Sequence, residues 1–392
     1  MSIPPLADRI RDLPPYLFAE IDRIKRELRQ KGVDVIDLSI GDPDLPTPPI
    51  IIAKLAAAAA SPEFHRYPAY NGSLRFRKAV ALWYEDRFGV RLDPDTQVLA
   101  LIGSKEGIAH IPLAFVNPGD TALVPDPGYP VYTTAVAFAG GTAVRMPLKA
   151  ENGYLPVLRD IPQNVADKAR LMFLNYPNNP TAAIANEDFF KEVVAFARKH
   201  EILVCHDAAY TEVILGGVES PSFLATPGAL DVGIEFHSLS KTFNMTGWRV
   251  GFAVGNREAI AALGHVKTNI DSGVFGAIQE AAITALENWK TLRDHNSKIY
   301  EHRRDLVTET LRGLKIQFFV PHSTFYVWCT VSTKEKSADF CARILKETGV
   351  TLTPGSGFGS GGEGYFRISL TASEIRLQEA LTRVEHYLQK TR

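Results

Sequence analysis

Short apolar runs alternate with helical stretches over much of this chain, from about residue 45 to residue 280. The runs Leu171 to Leu174 and Ile202 to Cys205 predict buried strands, because they are apolar throughout and too short for core helices. Such alternation is typical of an α/β fold, in which a mostly parallel sheet is covered by helices on both faces. We therefore predict a large domain of this kind over residues 45–280.

The rest of the chain predicts a second, smaller unit. From Ala277 to Leu314 the pattern is helical and charged and contains no proline, which predicts one long connecting helix over 281–314. The segment 315–392 mixes strand patterns with a terminal amphipathic helix. Together with residues 1–44 it predicts a small α+β domain, as expected for a chain of 392 residues that exceeds one typical domain.

Polar side chains follow both of the apolar runs. Asp207 and Tyr210 come just after the second, and the turn Asn-Tyr-Pro-Asn-Asn-Pro-Thr at 175–181 comes directly after the first. Because ligands of open α/β sheets bind at the carboxyl ends of the strands, we expect Asp207, Tyr210 and Asn179 in one site. The alternatives are an aspartate that caps a helix, a core tyrosine and a turn that only ends a strand.

A lysine flanked by small hydroxyl residues suggests which chemistry occurs at the carboxyl ends of these strands. Lys241 lies in Ser-Leu-Ser-Lys-Thr-Phe at 238–243, and Arg249 follows in Gly-Trp-Arg-Val-Gly. A lysine amine forms a Schiff base with an aldehyde, while a hydroxyl and a guanidinium bind a phosphate. Lys241, Ser238 and Arg249 therefore predict a pyridoxal phosphate site, although a surface lysine after a serine-rich turn would have the same local sequence.

The other polar residues suit the remaining parts of that cofactor. Asp207 would pair with the pyridine nitrogen and keep it protonated, while Tyr210 and Asn179 would donate to the phenolic oxygen. Tyr129, in the proline-rich turn at 125–132, would stack on the ring, unless it only packs in the core.

A glycine-rich turn opens another helix. Gly-Ser-Lys-Glu-Gly at 103–107 follows the predicted strand Gln97 to Ile102. Free backbone amides at a helix N-terminus bind anions, so Ser104 and Lys105 are predicted to contact the phosphate as well. Taken alone, the turn would be an ordinary helix cap.

Six motifs in this order resemble the class I/II, fold-type I aminotransferases, which depend on pyridoxal phosphate. They are Gly-Ser-Lys-Glu-Gly, Pro-x-Pro-x-Tyr, Asn-Asn-Pro-Thr, Asp-x-x-Tyr, Ser-x-x-Lys with its distal arginine, and Phe-Arg-Ile-Ser-Leu at 366–370. The resemblance, which runs from about Leu13 to the C-terminus, implies a seven-stranded sheet and ping-pong transfer of an amino group to 2-oxoglutarate. It also implies that Arg367 binds the substrate α-carboxylate. Ala182 departs from the glycine that the family usually has after Asn-Pro-Thr.

The same resemblance implies two contacts outside those motifs. The backbone of Gly41, in the loop at 39–48, would lie against the substrate carboxylate. Tyr67 would reach the cofactor phosphate of a partner subunit, which makes the active site a property of a homodimer. The glycine-rich stretch 355–364 predicts a mobile loop near the substrate.

The substrate hypothesis depends on the start of the chain. Leu-Pro-Pro-Tyr-Leu-Phe-Ala-Glu-Ile at 13–21 resembles the LL-diaminopimelate aminotransferases, in which a tyrosine at the position of Tyr16 contributes to the substrate pocket. The alternative is a hydrophobic anchor helix. The stretch 268–287 has no arginine for a side-chain carboxylate, and Asp271 there would suit a distal ammonium group unless it caps a helix. We predict LL-diaminopimelate:2-oxoglutarate aminotransferase activity in lysine biosynthesis.

Three other functions are compatible with these residues. They are an alanine, aspartate or aromatic aminotransferase, a pyridoxal-phosphate-dependent C–S lyase of the same fold, and a cofactor-bound regulator. A regulator would carry a fused DNA-binding domain, and no basic helical extension precedes residue 13. A requirement for added 2-oxoglutarate separates a transaminase from a lyase.

Composition limits the partners and the compartment. With 43 basic and 44 acidic residues the formal net charge is −1, which gives no electrostatic reason to expect nucleic acid or a membrane surface as a partner. The scattered cysteines Cys205, Cys329 and Cys341 predict reduced thiols rather than disulfides or a metal site. Without a signal-like or membrane-spanning stretch, we expect a cytoplasmic protein whose partners are small molecules and a second copy of itself.

Overall fold

The computed structural model describes residues 4–11 and 19–390 of the chain. The α-helices among them are, in chain order, α1 Asp8–Arg11, α2 Ala19–Gln30, α3 Pro49–Ala59, α4 Leu74–Phe88, α5 Ser104–Phe115, α6 Val131–Phe138, α7 Gln163–Ala166, α8 Glu187–His200, α9 Ala229–Val232, α10 Leu239–Thr242, α11 Arg257–Thr268, α12 Gly276–Glu287, α13 Trp289–Gly313, α14 Ser337–Thr348 and α15 Glu374–Lys390.

The strands of the described residues form three sheets. In chain order they are β1 Ile36–Asp37, β2 Val98–Leu101, β3 Thr121–Asp126, β4 Thr142–Pro147, β5 Ala169–Asn175, β6 Leu203–Asp207, β7 Gly233–Ser238, β8 Gly251–Gly255, β9 Phe318–Phe319, β10 Tyr326–Thr330, β11 Val350–Thr351, β12 Thr353–Pro354 and β13 Tyr365–Ser369.

The largest sheet has seven strands in the order β2-β8-β7-β6-β5-β3-β4. Strand β8 runs antiparallel to β2 and β7, and the other neighbours are parallel. Alternate residues of β2 belong to different apolar cores, Val98 and Ala100 on one face and Leu99 and Leu101 on the other. The prediction of a mostly parallel sheet buried on both faces is confirmed.

A second, antiparallel sheet has the order β12-β13-β10-β9 and a separate apolar core. The N-terminal segment joins this part of the molecule. Strand β1 pairs with β11, and Ile21 and Ile24 of α2 pack on Leu345 of α14. These contacts support our proposal of a small domain made of residues 1–44 and 315–392 beside a large domain.

The connection between the sheets is two helices instead of the single helix expected from the sequence. Helix α12 ends at Glu287 and α13 begins at Trp289, with Asn288 between them at φ −111° and ψ 18°. The Asn288 side-chain amide donates to the carbonyl of Thr284 at 2.8 Å. An asparagine side chain that bonds to the backbone competes with helix hydrogen bonding, and no proline or glycine signals this break in the sequence.

The glycine-rich stretch, which we expected to be a mobile loop, forms two 3₁₀ turns, Gly355–Phe358 and Ser360–Gly362. Asp126, at the end of β3, accepts hydrogen bonds from the Ser360 hydroxyl at 2.8 Å and the Gly361 N–H at 2.9 Å. The stretch is therefore anchored to the large sheet.

Helix length and composition bear on membrane association. Among residues 4–11 and 19–390, none of the helices combines the length and the apolar character that a membrane span requires.

A buried lysine joins α11 to the start of α5. Lys267 is fully buried, and its Nζ donates to Glu106 Oε1 at 2.9 Å and to Asp271 Oδ1 at 2.7 Å. The second Glu106 oxygen accepts from the Ile102 N–H at 2.6 Å and so fixes the chain just before the helix.

We expect Lys267→Met to lower the free energy of unfolding by about 3–5 kcal/mol, because it leaves the Glu106 carboxylate buried without its cation. The matched control is Lys191→Met, since Lys191 pairs with Asp188 on an exposed helix surface. Urea unfolding followed by circular dichroism measures both changes. Equal stability losses in the two variants would contradict the structural role of Lys267.

Candidate active site

A cleft of about 900 Å³ lies at the carboxyl edge of the large sheet. Neighbouring strands β5, β6 and β7 end there at Asn175, Asp207 and Ser238, and Lys241 follows in α10. Strand β13 of the four-stranded sheet contributes Arg367. The structure thus brings together most of the predicted residues, and those that line the cleft are Gly41, Ser104, Lys105, Tyr129, Asn179, Asp207, Tyr210, Ser238, Lys241, Arg249 and Arg367.

Three of the expected substrate or cofactor contacts are not in this group. Tyr67 does not line the cleft and is 89% exposed. Tyr16 lies outside the described residues. Asp271, which we considered for a distal ammonium group, accepts from Lys267 Nζ and, at 2.8 Å, from the Gly273 N–H instead of facing the cleft.

Lys241 presents its amine beside the loop that contains Gly41. Its Nζ donates to the Gly41 carbonyl oxygen at 2.8 Å. Burial lowers the pKa of Lys241 to about 8; nearby Asp42 opposes this shift, and the positive charges of Arg367 and Arg249 add to it. A lysine with such a pKa acts as a nucleophile and a base near neutral pH.

Asp207 ends β6 with a buried carboxylate. The Tyr132 hydroxyl donates to Oδ2 at 2.8 Å, and the Ala209 N–H donates to Oδ1 at 3.3 Å. Burial raises the pKa of Asp207, and the hydrogen bond from Tyr132 opposes the rise. Sequence reading missed Tyr132, although it stands three residues after Tyr129 in the same proline-rich motif.

Asparagines fix the turn that presents Asn179. The Asn175 side chain accepts from the Asn179 N–H at 2.8 Å and donates to the Asp207 carbonyl oxygen at 2.8 Å, so the turn is tied to the next strand. Ala182, whose N–H donates to Asn178 O, has φ 62°. That left-handed region favours glycine, the residue of the family pattern at this position, and the alanine adopts it here.

The predicted phosphate contacts surround the start of α5. Gly103 precedes the helix at φ 103°, and a Cβ there would lie 2.4 Å from Arg249 Nη2. The guanidinium therefore packs against the first turn, where the N–H groups of Ser104 and Lys105 have no partner within the helix. With Ser238 capping α10 nearby, these donors and charges suit a phosphate.

Arg367 is a buried cation on the other wall of the cleft. Its Nη1 donates to Asn179 Oδ1 at 2.6 Å, and its Nη2 donates to the Ser39 carbonyl oxygen at 2.7 Å. Within the described part of the chain no carboxylate pairs with it, and its Nε has no hydrogen-bond partner. A buried guanidinium without an anion is suited to the carboxylate of a ligand.

Tyr326 is a further residue of the site that sequence reading missed. It is 2% exposed, and its hydroxyl lies 2.9 Å from that of Tyr210. A Cβ on Gly41 would lie 1.7 Å from the Tyr326 hydroxyl oxygen, so only glycine fits there. Tyr326 pairs with Ser369, two residues from Arg367 on the neighbouring strand, and a single sequence does not reveal which strands pair.

Residues 33–384 match the family model for aminotransferases of class I and II. The chain belongs to this family. It is 57% identical to the LL-diaminopimelate aminotransferase of Syntrophobacter fumaroxidans, with 96% of this chain and 97% of that protein covered, and 53% identical to that of Aquifex aeolicus, with 97% and 98% covered. The solved structure of substrate-bound BacF from Bacillus subtilis matches with a TM-score of 0.93 and 39% identity, over 99% of this chain and 98% of that one. The predicted fold-type I architecture and aminotransferase activity are confirmed.

In protein freed of bound small molecules, we expect Lys241 to react with trinitrobenzenesulfonate with half its limiting rate at a pH of about 8, because only the neutral amine reacts. Exposed Lys191, whose pKa is raised by Asp188, serves as the control and should require a higher pH. Peptide mass spectrometry after brief labelling gives both rates. Identical pH profiles for the two lysines would refute the lowered pKa.

Proposed function

We propose that this chain is an LL-diaminopimelate:2-oxoglutarate aminotransferase of lysine biosynthesis that works with pyridoxal phosphate. The observation that carries the proposal is the convergence of Lys241, Asp207 and Arg367 on one cleft. LL-diaminopimelate aminotransferases that resemble the chain over nearly its full length, such as the two named above, support the choice of substrate.

The residues of the cleft fit this cofactor. The first turn of α5 with Arg249 would hold the phosphate, buried Asp207 would pair with the pyridine nitrogen, and Tyr210 and Asn179 would donate to the phenolic oxygen. Lys241 supplies the amine that joins the aldehyde. When bound, the cofactor supplies a protonated ring that withdraws electrons and makes the substrate Cα–H acidic.

The chain's own residues then position the substrate and move one proton. Arg367 binds the α-carboxylate through its guanidinium N–H groups, which keeps Cα on the side of the cleft that Lys241 occupies. Lys241 Nζ takes the proton from Cα and would deliver it to the carbon that bears the cofactor's aldehyde, because a pKa of about 8 allows the amine to accept and release a proton near neutral pH. The same residues serve a 2-oxo acid in the reverse direction, so the kinetics should be ping-pong.

The test is a panel of amino donors assayed with and without 2-oxoglutarate. We expect kcat/KM for LL-diaminopimelate to exceed those for alanine, aspartate and phenylalanine by about 100-fold or more, since a site that binds polar groups at both ends of a substrate rejects molecules that lack one end. Lys241→Ala should abolish turnover.

The panel also separates the alternatives. A preference for alanine, aspartate or phenylalanine would overturn the substrate and leave the aminotransferase activity. Repeated turnover without 2-oxoglutarate would indicate a lyase.

We also propose that two chains complete each other's sites in a homodimer, with Tyr67 of one chain at the phosphate of the other. Tyr67 is exposed together with Tyr70, Ile270 and Phe275. The two segments are neighbours, since a Cβ on Gly273 would lie 3.6 Å from the Tyr70 Cα. An exposed aromatic and aliphatic patch of this kind is typical of a protein interface.

Hybrid dimers test the shared site. An equimolar mixture of Lys241→Ala and Tyr67→Ala chains should regain about one quarter of the wild-type activity, because half of the dimers are hybrids and each hybrid has one intact site. Lys241→Ala mixed with Arg367→Ala is the control, since both residues act within one chain and no intact site forms. Equal activity in the two mixtures would overturn the assignment of Tyr67.

A cytoplasmic location is part of the same proposal. Cys205, Cys329 and Cys341 are all buried free thiols. Unpaired cysteines are typical of a reducing compartment, where a biosynthetic enzyme of this kind would work.

A further inference from the structure

Tyr326 contacts groups on both sides of the cleft. Its ring centroid lies 3.9 Å from the guanidinium carbon of Arg367, and its hydroxyl lies 2.9 Å from the hydroxyl of Tyr210. The hydroxyl also packs against the backbone of Gly41, whose carbonyl oxygen accepts from Lys241 Nζ. One side chain thus contacts both Arg367, the proposed site of the substrate carboxylate, and Tyr210, a proposed donor to the cofactor.

The burial of Tyr326 decides which of the two hydroxyls donates the hydrogen bond between them. A tyrosine hydroxyl has one hydrogen, so one of the pair donates and the other keeps its hydrogen for a different acceptor. Tyr326 is buried, and among the described residues its hydroxyl has Tyr210 and the Arg367 guanidinium as hydrogen-bond partners, of which the guanidinium can only donate. If Tyr210 donated instead, the Tyr326 hydrogen would be buried without an acceptor, which costs free energy.

We propose that Tyr326 is a positioning residue whose hydroxyl donates to Tyr210, so that the Tyr210 hydrogen points into the cleft, and whose ring holds the Arg367 guanidinium in place. This inference rests on the proposed function, in which Tyr210 donates to the phenolic oxygen of the cofactor. Successive hydrogen bonds polarise one another, so the bond from Tyr326 makes Tyr210 a stronger donor. The ring acts separately, through a cation–π contact with Arg367.

The hydroxyl is tested by spectroscopic titration of the holoenzyme. A donor to the phenolic oxygen withdraws charge from the conjugated system and lowers the proton affinity of the nitrogen that joins the cofactor to Lys241. We follow the absorbance of the bound cofactor as the pH is changed. The pH at the midpoint of this change should rise by about 0.3–1 unit in Tyr326→Phe, which is a change of about twofold to tenfold in the proton affinity of that nitrogen. Tyr210→Phe should raise it further, and the double variant should match Tyr210→Phe because Tyr326 acts through Tyr210.

The ring is tested without the cofactor. Calorimetric titration of the cofactor-free protein with 2-oxoglutarate should give the same affinity for wild type and Tyr326→Phe, which keeps the ring. Tyr326→Leu should weaken binding about threefold or more, because the contact with Arg367 is lost. Equal affinities in all three proteins would overturn the role of the ring.

Tyr176→Phe is the matched control for the titration. The Tyr176 hydroxyl is buried and donates to the Tyr154 carbonyl oxygen at 2.8 Å, away from the cleft. This variant should leave the midpoint unchanged, whatever its effect on melting temperature. An unshifted midpoint in Tyr326→Phe, or additive shifts in the double variant, would overturn the proposed role of the hydroxyl. The role of the ring would not be affected. A wild-type protein that binds no pyridoxal phosphate would overturn the proposed function together with this inference.

Discussion

The burial of charged groups around one cleft is the constraint on which the rest of the site depends. Burying an ion costs on the order of several kcal/mol unless a partner compensates it. Arg367 has amide and carbonyl acceptors and an aromatic ring around it but no carboxylate among the described residues, and Asp207 has a hydroxyl and a backbone N–H. Such neutral dipoles orient each charge without cancelling it. In the proposed function, ligand charges of opposite sign would complete the pairs, so ligand binding should stabilise the folded chain.

A buried polar network lies within the otherwise apolar face of the sheet that points away from the cleft. His206 and His237 directly precede Asp207 and Ser238, and alternation along a strand turns their side chains away from the cleft. Both contact buried Glu235, His206 at 2.6 Å and His237 at 3.4 Å, and the same carboxylate accepts from the chain after β6. This network joins the ends of two strands whose last residues face the ligand, and so limits how far they can shift.

The expected residues that the structure brings together in the cleft have local signals in the sequence. Asp207 ends an apolar strand, Lys241 stands in a hydroxyl-rich motif, and Ser104 opens a helix after a glycine, so each follows from a few neighbouring residues. Tyr326 needed knowledge of which strands pair, and a single sequence does not contain it. For Asp271 the sequence left two interpretations open, a contact for a distal ammonium group and a helix cap. In the structure its carboxylate accepts from Lys267 Nζ, four residues earlier, a spacing that brings side chains together along a helix.

The two sheets contribute different walls of the cleft. Lys241 and Asp207 stand at the end of the seven-stranded sheet, whereas Arg367 and Tyr326 belong to the four-stranded one, with the loop of Gly41 between them. In the proposed function, an amino acid held by its carboxylate at Arg367 and facing Lys241 through Cα would therefore span both. The spacing of the sheets decides whether Cα reaches the amine, and an error of about 1 Å there costs a large part of the rate. The close packing of Tyr326 on Gly41 limits how near the four-stranded sheet can come to the Gly41 loop, to which Lys241 donates, because neither the glycine nor the tyrosine ring leaves room for a shorter approach.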